Sequence, residues 1–268
     1  MSTAPIGHRC YVFLLLCLIA AGVCAQPAKK EFEPQVGQEG KDVIWVPTPE
    51  GLIAKMLDMA KVTAADTVID LGSGDGRTVI AAAKRGANAL GIEYNPDMVE
   101  LSKRNAEKAG VSGRANFMKA DIFESDFSQA TVITMYLLPS INVKLRPKIL
   151  NLKPGTRIVS HAFTMEDWTA DQTESFDGRT AYMWIVPAKV EGAWQAAQGE
   201  FFLTQNYQMV AGNVRSGGNT VAITDGRLRG DQISFKAGGT EYNGRVNGKS
   251  IEGSMRGSSS GAWSATRK

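Results

Sequence analysis

The sequence predicts an α/β fold built on a doubly wound sheet, followed by a small antiparallel all-β C-terminal domain. The first observation is an apolar run, residues 68–71, that passes through closely spaced glycines into a helical pattern. The second is an alternation of strand-like and helix-like segments from Asp66 to His161. The third is a change of composition beyond Pro187, where short segments are separated by Gly, Asn, Asp and Ser. Such alternation predicts parallel strands joined by right-handed crossovers.

We expect four regions along the chain. They are a signal peptide at 1–25, a linker at 26–45, an α/β domain at 46–187 and a small β-barrel or β-sandwich domain at 190–268. The first helix of the α/β domain follows Val-Pro-Thr-Pro, where Thr48 is placed to cap the helix N-terminus with its hydroxyl.

Further helices are predicted over residues 78–85 and 96–109, the second capped by Asn95. Strand-like runs complete the predicted sheet: 89–93, 115–121, 131–135, 157–160 and an edge strand at 180–186.

The C-terminal segment predicts an antiparallel meander. Asn247-Gly248 is a hairpin turn signal and Asp225-Gly226 is a second candidate. Trp194 and Trp263 lie near the two ends of this segment, and we expect them to close its core rather than bind a ligand.

The N-terminus has the pattern of an export signal. Arg9 precedes an apolar run over 11–23, and Val23-Cys24-Ala25 forms a small-residue cleavage site. The run is too short to span a bilayer comfortably as a helix. We expect an exported, periplasmic protein; an uncleaved segment that associates with the membrane stays open as the alternative.

Composition excludes several site classes. All three cysteines lie within residues 1–25, so a cleaved chain keeps no thiol chemistry, and His161 becomes its one histidine. We therefore expect no metal site. Removing Arg9 with the signal lowers the net charge from +3 to about +2, with no long basic run. We expect no nucleic-acid partner.

The glycine loop at the end of the first strand indicates a cofactor site. Gly72, Gly74 and Gly76 allow positive φ and let a ligand approach the backbone at a helix N-terminus. The dinucleotide fingerprint is G-x-G-x-x-G, whereas this chain has G-x-G-x-G. Asp70, two residues before the first glycine, suits a ligand with an ammonium group and would repel a pyrophosphate.

The string Asp-Leu-Gly-Ser-Gly-Asp-Gly, residues 70–76, resembles the first motif of class I S-adenosylmethionine-dependent methyltransferases, a seven-strand Rossmann-like family. The second strand ends in Glu93 and the third in Ala120-Asp121, which keeps the family's order of motifs. The resemblance implies S-adenosylmethionine as the cofactor, with Asp70 holding its ammonium group, Glu93 its ribose and Asp121 its adenine.

Three residues in this set keep a second interpretation. Asp121 could instead cap the turn that follows it. The lead-in Val-Pro-Thr-Pro resembles that of seven-strand protein lysine methyltransferases, which implies that Thr48 reaches over the cofactor rather than caps a helix. Tyr94 is a candidate to pack on the adenine, but an aromatic residue at this position can equally belong to the core. The full set of candidate cofactor-binding residues is Thr48, Asp70, Gly72, Ser73, Gly74, Gly76, Glu93, Tyr94 and Asp121.

The segment after the fourth strand indicates which kind of group accepts the methyl group. Many amino-methylating relatives carry Asp/Asn-Pro-Pro-Tyr there, but this chain has Thr-Met-Tyr-Leu-Leu-Pro at 134–139. The difference argues against adenine-N6 and glutamine-N5 methylation. From about Val46 to Trp168 the chain resembles a bacterial and mitochondrial-type group related to lysine methyltransferases. Tyr136 is the candidate to orient the acceptor amine, with Phe163 or Trp168 stacking against its cationic form.

His161 follows the fifth strand and is a candidate base, although a hydrogen-bonded structural role is more common for a histidine at such a position. We expect a methyltransferase acting on a protein lysine or another amine nitrogen. The open alternative is an exported, non-catalytic adenosyl-ligand binding protein whose β domain recognises a partner. A nicotinamide dehydrogenase is disfavoured by the glycine spacing.

Overall fold

The first architectural unit is a seven-stranded mixed sheet with helices on both faces. The computed structural model describes residues 1–3 and 31–268. The elements of this unit are α1 (Glu50–Met59), β1 (Thr67–Leu71), α2 (Arg77–Lys84), β2 (Asn88–Glu93), α3 (Pro96–Lys108), β3 (Ala115–Lys119), β4 (Val132–Met135), α4 (Pro139–Ile149), β5 (Arg157–His161), β6 (Gln172–Phe176) and β7 (Arg179–Ile185).

The strand order is β3-β2-β1-β4-β5-β7-β6. The first five strands run parallel, and β7 is antiparallel to both of its neighbours. The doubly wound α/β prediction is therefore confirmed. The order reverses between β1 and β4, which is the point where open sheets of this kind bind ligands, outside the carboxyl ends of the strands.

The helix starts beside this edge follow from local sequence. Asn95 caps α3 by accepting a hydrogen bond from the backbone N–H of Asp97, 2.9 Å away, and Pro96 occupies the first turn as predicted. Gly76 precedes α2 with a left-handed backbone, φ +83°. A Cβ there would lie 2.8 Å from the Cβ of Ser102, so Gly76 lets α2 and α3 pack closely.

One strand differs from the prediction. β7, expected at the edge of the sheet, lies inside it, and β6 forms the edge. The chain reverses between them at Asp177-Gly178, both in the left-handed region. β6 reads Gln-Thr-Glu-Ser-Phe and is largely exposed, so it lacks the apolar alternation that identifies a half-buried strand.

The C-terminal unit is a closed antiparallel barrel of eight strands, in the order β10-β11-β12-β13-β14-β15-β8-β9. The strands are β8 (Gly192–Ala196), β9 (Gly199–Asn206), β10 (Met209–Ser216), β11 (Asn219–Arg229), β12 (Gln232–Ala237), β13 (Thr240–Asn247), β14 (Ser250–Gly257) and β15 (Gly261–Arg267). Closure leaves no sheet edge exposed for pairing with other chains.

The barrel core confirms the role predicted for the two tryptophans. Trp194 and Trp263 are buried among aromatic residues that include Phe201, Phe235 and Tyr242. The rings of Trp263, Phe201, Phe235 and Tyr242 meet mainly edge-to-face, with centroids 4.9–5.8 Å apart. The barrel is therefore filled by its own side chains.

Of the two predicted hairpin turns, one is confirmed. Gly248, with φ +58°, lies in the turn that joins β13 to β14. Asp225-Gly226 is instead a bulge inside the long strand β11, where the register with β12 shifts between Thr224 and Arg227. Asp225 has a left-handed backbone, φ +53°, which occurs both in bulges and in hairpin turns. The Asp-Gly dipeptide alone therefore does not distinguish a bulge from a turn.

No helix within the described residues has both the length and the apolar character needed to cross a membrane. The predicted signal peptide lies almost entirely outside the described residues.

Candidate functional site

A cavity of about 470 Å³ opens at the carboxyl ends of the central strands, at the switch point between β1 and β4. This volume lies within the range of small-molecule sites. Eight of the nine candidate cofactor-binding residues line the cavity, and so does Tyr136: Thr48, Asp70, Gly72, Ser73, Gly74, Glu93, Tyr94, Asp121 and Tyr136. Gly76 and His161 do not.

The glycine loop forms one wall of the cavity. Gly72 and Gly74 have φ +78° and +54°, a region that L side chains rarely adopt. A Cβ on Gly74 would come within 2.7 Å of the Trp45 indole nitrogen. The Ser73 hydroxyl is buried against Gly91 and has no hydrogen-bond partner among the described residues, so Ser73 offers the cavity mainly its backbone.

Asp70 lies at the end of β1 with only 6% of its surface exposed. The Thr134 hydroxyl donates a 2.6 Å hydrogen bond to its carboxylate, and no cation pairs with it among the described residues. Burial raises the pKa of Asp70 to about 7; the Thr134 hydrogen bond opposes the shift, and the neighbouring Glu93 and Asp75 carboxylates add to it. A buried carboxylate of this kind is stabilised by a cationic ligand group.

Glu93 is fixed at the end of β2 by two backbone hydrogen bonds. One carboxylate oxygen accepts from the Gly74 N–H and the other from the Asn95 N–H, both at 2.9 Å. Each oxygen keeps a lone pair for a further donor. Glu93 therefore ties the glycine loop to the second strand and presents a carboxylate at the position where ribose hydroxyls bind in such folds.

Asp121 caps the turn that follows it and also lines the cavity, while its contact with the adenine stays a prediction. Its carboxylate accepts a 2.9 Å hydrogen bond from the Phe123 N–H, which closes the local turn. It forms an ion pair with Lys41, which lowers the pKa of Asp121. Tyr94 beside it is 49% exposed, and the Lys41 ammonium lies 4.7 Å from the Tyr94 ring centre.

Thr48 does not cap α1, contrary to the prediction. The helix begins at Glu50, Pro49 precedes it, and no side chain caps its N-terminus. The Thr48 hydroxyl instead lies 3.1 Å from the His161 Nδ1, a partner 113 residues away in sequence. Thr48 also lines the cavity, and its reach over the cofactor stays a prediction.

His161 lies behind the cavity wall. Its ring centre is 3.8 Å from that of Tyr136, and its other contact is Thr48. Burial lowers the pKa of His161 to about 4, and the positive charge of Arg179 contributes. The imidazole is therefore neutral at physiological pH and supports Thr48 and Tyr136, which do face the cavity.

The two aromatic residues predicted to stack against the acceptor, Phe163 and Trp168, differ in whether they reach the cavity. Phe163 lines the cavity, with its ring 5.9 Å from that of Tyr136. Trp168 is fully buried between Trp184 and Tyr207. The interpretation of Trp168 as a cation-stacking residue is wrong, because a completely buried ring cannot contact an acceptor.

Sequence reasoning missed one wall of the site. Residues 37–46, which we call the flap, fall largely within the segment assigned to the linker. They fold into a short hairpin closed by backbone hydrogen bonds between Gly37 and Trp45 and between Gln38 and Trp45, all at 2.9 Å. Most of the flap lines the cavity. The apolar Ile44, Trp45 and Val46 were the available signal, since a solvated linker has no need of them.

The ion pair between Lys41 and Asp121 fastens the flap to the third strand. We expect Lys41→Met to weaken binding of S-adenosylhomocysteine by about two- to fivefold, because an exposed ion pair contributes little. Salt screens such pairs, so the variant should also lose part of the salt dependence of binding. Calorimetric titration at low and high salt measures both effects. Lys55→Met, which removes an exposed ion pair to Glu174, is the matched control. Unchanged affinity in Lys41→Met would contradict the fastening role.

The residues present fit S-adenosylmethionine. Asp70 offers a buried carboxylate that has no cationic partner among the described residues, and Glu93 offers a carboxylate fixed by two backbone hydrogen bonds. The charged residues of the cavity wall are mostly acidic: Glu39, Asp42, Asp70, Asp75, Glu93 and Asp121 against Lys41 and Arg77. Such a wall favours a cationic ligand over a phosphate. The described residues contain no cluster of His, Cys, Asp and Glu suited to a metal ion.

Comparison with known proteins agrees with this geometry. The model of the ANTKMT methyltransferase domain family matches residues 70–172. A protein-lysine N-methyltransferase of Saccharolobus islandicus is 43% identical over 151 residues, which cover 54% of this chain and 94% of that protein. The adenine nucleotide translocase lysine N-methyltransferase of Mus musculus is 35% identical over 103 residues, 38% of this chain and 45% of that protein. The match thus spans less than half the length of the mouse relative.

A solved structure is also similar. It is that of an RNA methyltransferase from Salinibacter ruber in complex with S-adenosylhomocysteine. It has 48% sequence identity and a TM-score of 0.53, and the match covers 54% of this chain and 96% of that one. These relatives favour an enzyme over the non-catalytic binding protein. Together with the fold and the acidic cavity, they show that the chain belongs to the class I S-adenosylmethionine-dependent methyltransferases, in the group of the protein-lysine N-methyltransferases.

Proposed function

We propose that this chain transfers a methyl group from S-adenosylmethionine to the ε-amino nitrogen of a lysine on a protein. The observation that carries the proposal is the wall around Tyr136, which combines aromatic rings with an acidic cavity. Tyr136 and Phe163 provide ring faces, and the carboxylates outnumber the cations. A lysine side chain arrives as a cation, which both features attract. The lysine methyltransferases among the relatives support the same acceptor.

Methyl transfer requires of the protein mainly that it position the acceptor relative to the cofactor. The bound cofactor supplies an activated methyl group, so the chain must align the acceptor and exclude water. We assign to the Tyr136 hydroxyl the role of orienting the amine, because Tyr136 lines the cavity. His161 and Thr48 support Tyr136 and the neighbouring backbone, and the neutral His161 imidazole adds no positive charge beside a cationic acceptor. The flap, fastened through Lys41, lines the same cavity.

The test is the transfer of tritiated methyl groups from S-adenosylmethionine to a cell-envelope extract, followed by separate digestion with protease and with ribonuclease. We expect label that protease releases and that amino-acid analysis identifies as methyl-lysine. Label released by ribonuclease would show that RNA is the acceptor and would overturn the lysine assignment. The similar protein from Salinibacter ruber is described as an RNA methyltransferase, so this outcome is tested explicitly. Heat-inactivated protein is the control for non-enzymatic transfer.

We further propose that the protein acts outside the cytoplasm, in the periplasm. The support is the charged, apolar and small-residue pattern of residues 1–25. Cell fractionation with N-terminal sequencing tests this. A periplasmic chain that begins at Gln26 is expected, whereas a full-length chain in the membrane fraction would favour the anchored alternative.

A further inference from the structure

One loop, residues 162–171, joins β5 to β6, and we call it the acceptor loop. It carries Phe163 into the cavity wall. Two of its residues have left-handed backbones without being glycine, Ala162 at φ +63° and Glu166 at φ +54°. Such conformations are unfavourable and persist only where the surroundings fix them.

The α/β unit fixes the first half of the acceptor loop. The Ser160 hydroxyl donates to the Phe163 carbonyl at 2.7 Å, and the Asn142 amide donates to the Thr164 carbonyl at 3.1 Å. Arg146 donates to the Met165 carbonyl at 2.7 Å. The α/β unit thus holds the carbonyl groups of the three residues from Phe163 to Met165.

Both units hold the second half. Arg146 of α4 forms an ion pair with Asp167, and the Trp184 indole of β7 donates to the Trp168 carbonyl at 2.7 Å.

The barrel adds contacts through the turn between β9 and β10. The Tyr207 hydroxyl donates to Asp167 at 2.9 Å, and its ring stacks on Trp168 with centroids 5.7 Å apart and an interplanar angle of 15°. The Gln208 amide, only 3% exposed, donates to the Thr169 carbonyl at 2.8 Å.

A further barrel contact holds the end of the loop. Arg227 of β11 donates a 2.8 Å hydrogen bond to Asp171, whose side chain is 1% exposed and also accepts from the Ile185 N–H. Consecutive loop residues from Asp167 to Thr169, and then Asp171, are therefore held by barrel side chains.

We propose that the C-terminal barrel positions the acceptor wall of the methyltransferase, with Tyr207 and Gln208 as positioning residues that fix the acceptor loop and, through it, Phe163. Neither residue lines the cavity, and both act through loop residues that they contact directly. The consequence for catalysis rests on the proposed function, since the placement of Phe163 matters to the reaction only if an acceptor binds beside it. The effect on the loop itself does not depend on catalysis.

Hydrogen–deuterium exchange of the full chain, followed by mass spectrometry, tests the positioning directly. Gln208→Leu removes the amide donor at similar size, and Tyr207→Phe removes only the hydroxyl bond and keeps the ring on Trp168. We expect exchange across residues 162–170 to rise about five- to tenfold in Gln208→Leu, as one lost hydrogen bond predicts, and less in Tyr207→Phe. Gln232→Leu, at an exposed glutamine of β12, is the matched control and should change nothing.

Two further readouts separate positioning from general loosening. Exchange at the glycine loop, residues 72–76, and the affinity for S-adenosylhomocysteine should both stay within twofold of wild type, while tritiated methyl incorporation into an envelope extract slows severalfold. Unchanged exchange at 162–170, or an equal rise at 72–76, would overturn the inference. A wild-type chain that incorporates no label would count against the proposed function, and the exchange result would still decide whether the barrel holds the loop.

Discussion

Replacing Asp70 with Asn is expected to abolish most cofactor binding and, at the same time, to stabilise the cofactor-free protein at pH 8. The wild-type carboxylate is buried and has no cationic partner among the described residues. Asn keeps an oxygen for the Thr134 hydroxyl but carries no charge. We expect the affinity for S-adenosylhomocysteine to fall about 100-fold, the size typical of losing one partner of a buried charge pair.

The stability effect should depend on pH in a defined direction. The pKa of Asp70 in the folded state is about 7, above its ordinary value of 3.8, so the folded protein holds the proton that the unfolded chain releases. Wild-type stability therefore falls as pH rises from about 4 to 7 and then levels off, whereas the amide of the variant has no proton to lose. Scanning calorimetry should show a larger gain in Tm for Asp70→Asn at pH 8 than at pH 5.

The control for Asp70 is Asp97→Asn, an exposed acid in the first turn of α3. This variant should keep both its cofactor affinity and the pH dependence of its Tm. An Asp70→Asn protein that binds S-adenosylhomocysteine as tightly as wild type would remove Asp70 from the site. A loss of binding together with a lower Tm at pH 8 would instead mean that Asp70 supports the fold.

Replacing Tyr136 with Phe should lower turnover about 10- to 100-fold and leave cofactor affinity within twofold. The ring contacts with His161 and Phe163 survive this change, so only the hydroxyl is lost. A group that orients a reacting atom contributes an effect of about this size. The measurement is the initial rate of tritiated methyl transfer to an envelope extract, beside calorimetric titration with S-adenosylhomocysteine.

Tyr182→Phe is the matched control for Tyr136. Tyr182 is a part-buried tyrosine of β7 whose ring packs against Trp184, and it does not line the cavity. Turnover in this variant should equal that of wild type. Unchanged turnover in Tyr136→Phe would show that the hydroxyl has no part in the reaction.

The core of the cofactor site could be predicted because its signals are local. Asp70 and Glu93 each end a short apolar strand, and the carboxyl ends of neighbouring parallel strands meet at one edge of a sheet. Asn95 and Pro96 likewise determine a helix start from adjacent residues alone. Each of these features needs only a few consecutive residues, which is the range over which sequence patterns are informative.

The features that were missed depend on distant partners. Thr48 has every local property of a helix cap, yet its hydroxyl bonds to His161, 113 residues away. The flap is fastened by the ion pair between Lys41 and Asp121, a pairing that no local pattern contains. Trp168 is an aromatic residue that follows the fifth strand, as a residue that stacks on a cationic acceptor would, but Tyr207 in the turn between β9 and β10 covers its ring. The residue types and their sequence neighbours predicted these roles, but contacts with residues distant in sequence determine what each side chain does in the fold.

Calorimetric titration of the wild-type chain and of Glu93→Gln with S-adenosylhomocysteine, beside NAD⁺ as a comparison ligand, tests the cofactor site most directly. We expect saturable binding of S-adenosylhomocysteine to the wild-type chain, at least tenfold weaker binding to Glu93→Gln because a charged hydrogen-bond acceptor for the ribose is lost, and no measurable binding of NAD⁺. A wild-type chain that gives no heat with S-adenosylhomocysteine, or that binds NAD⁺ equally well, would contradict a carboxylate-lined cavity built for this cofactor.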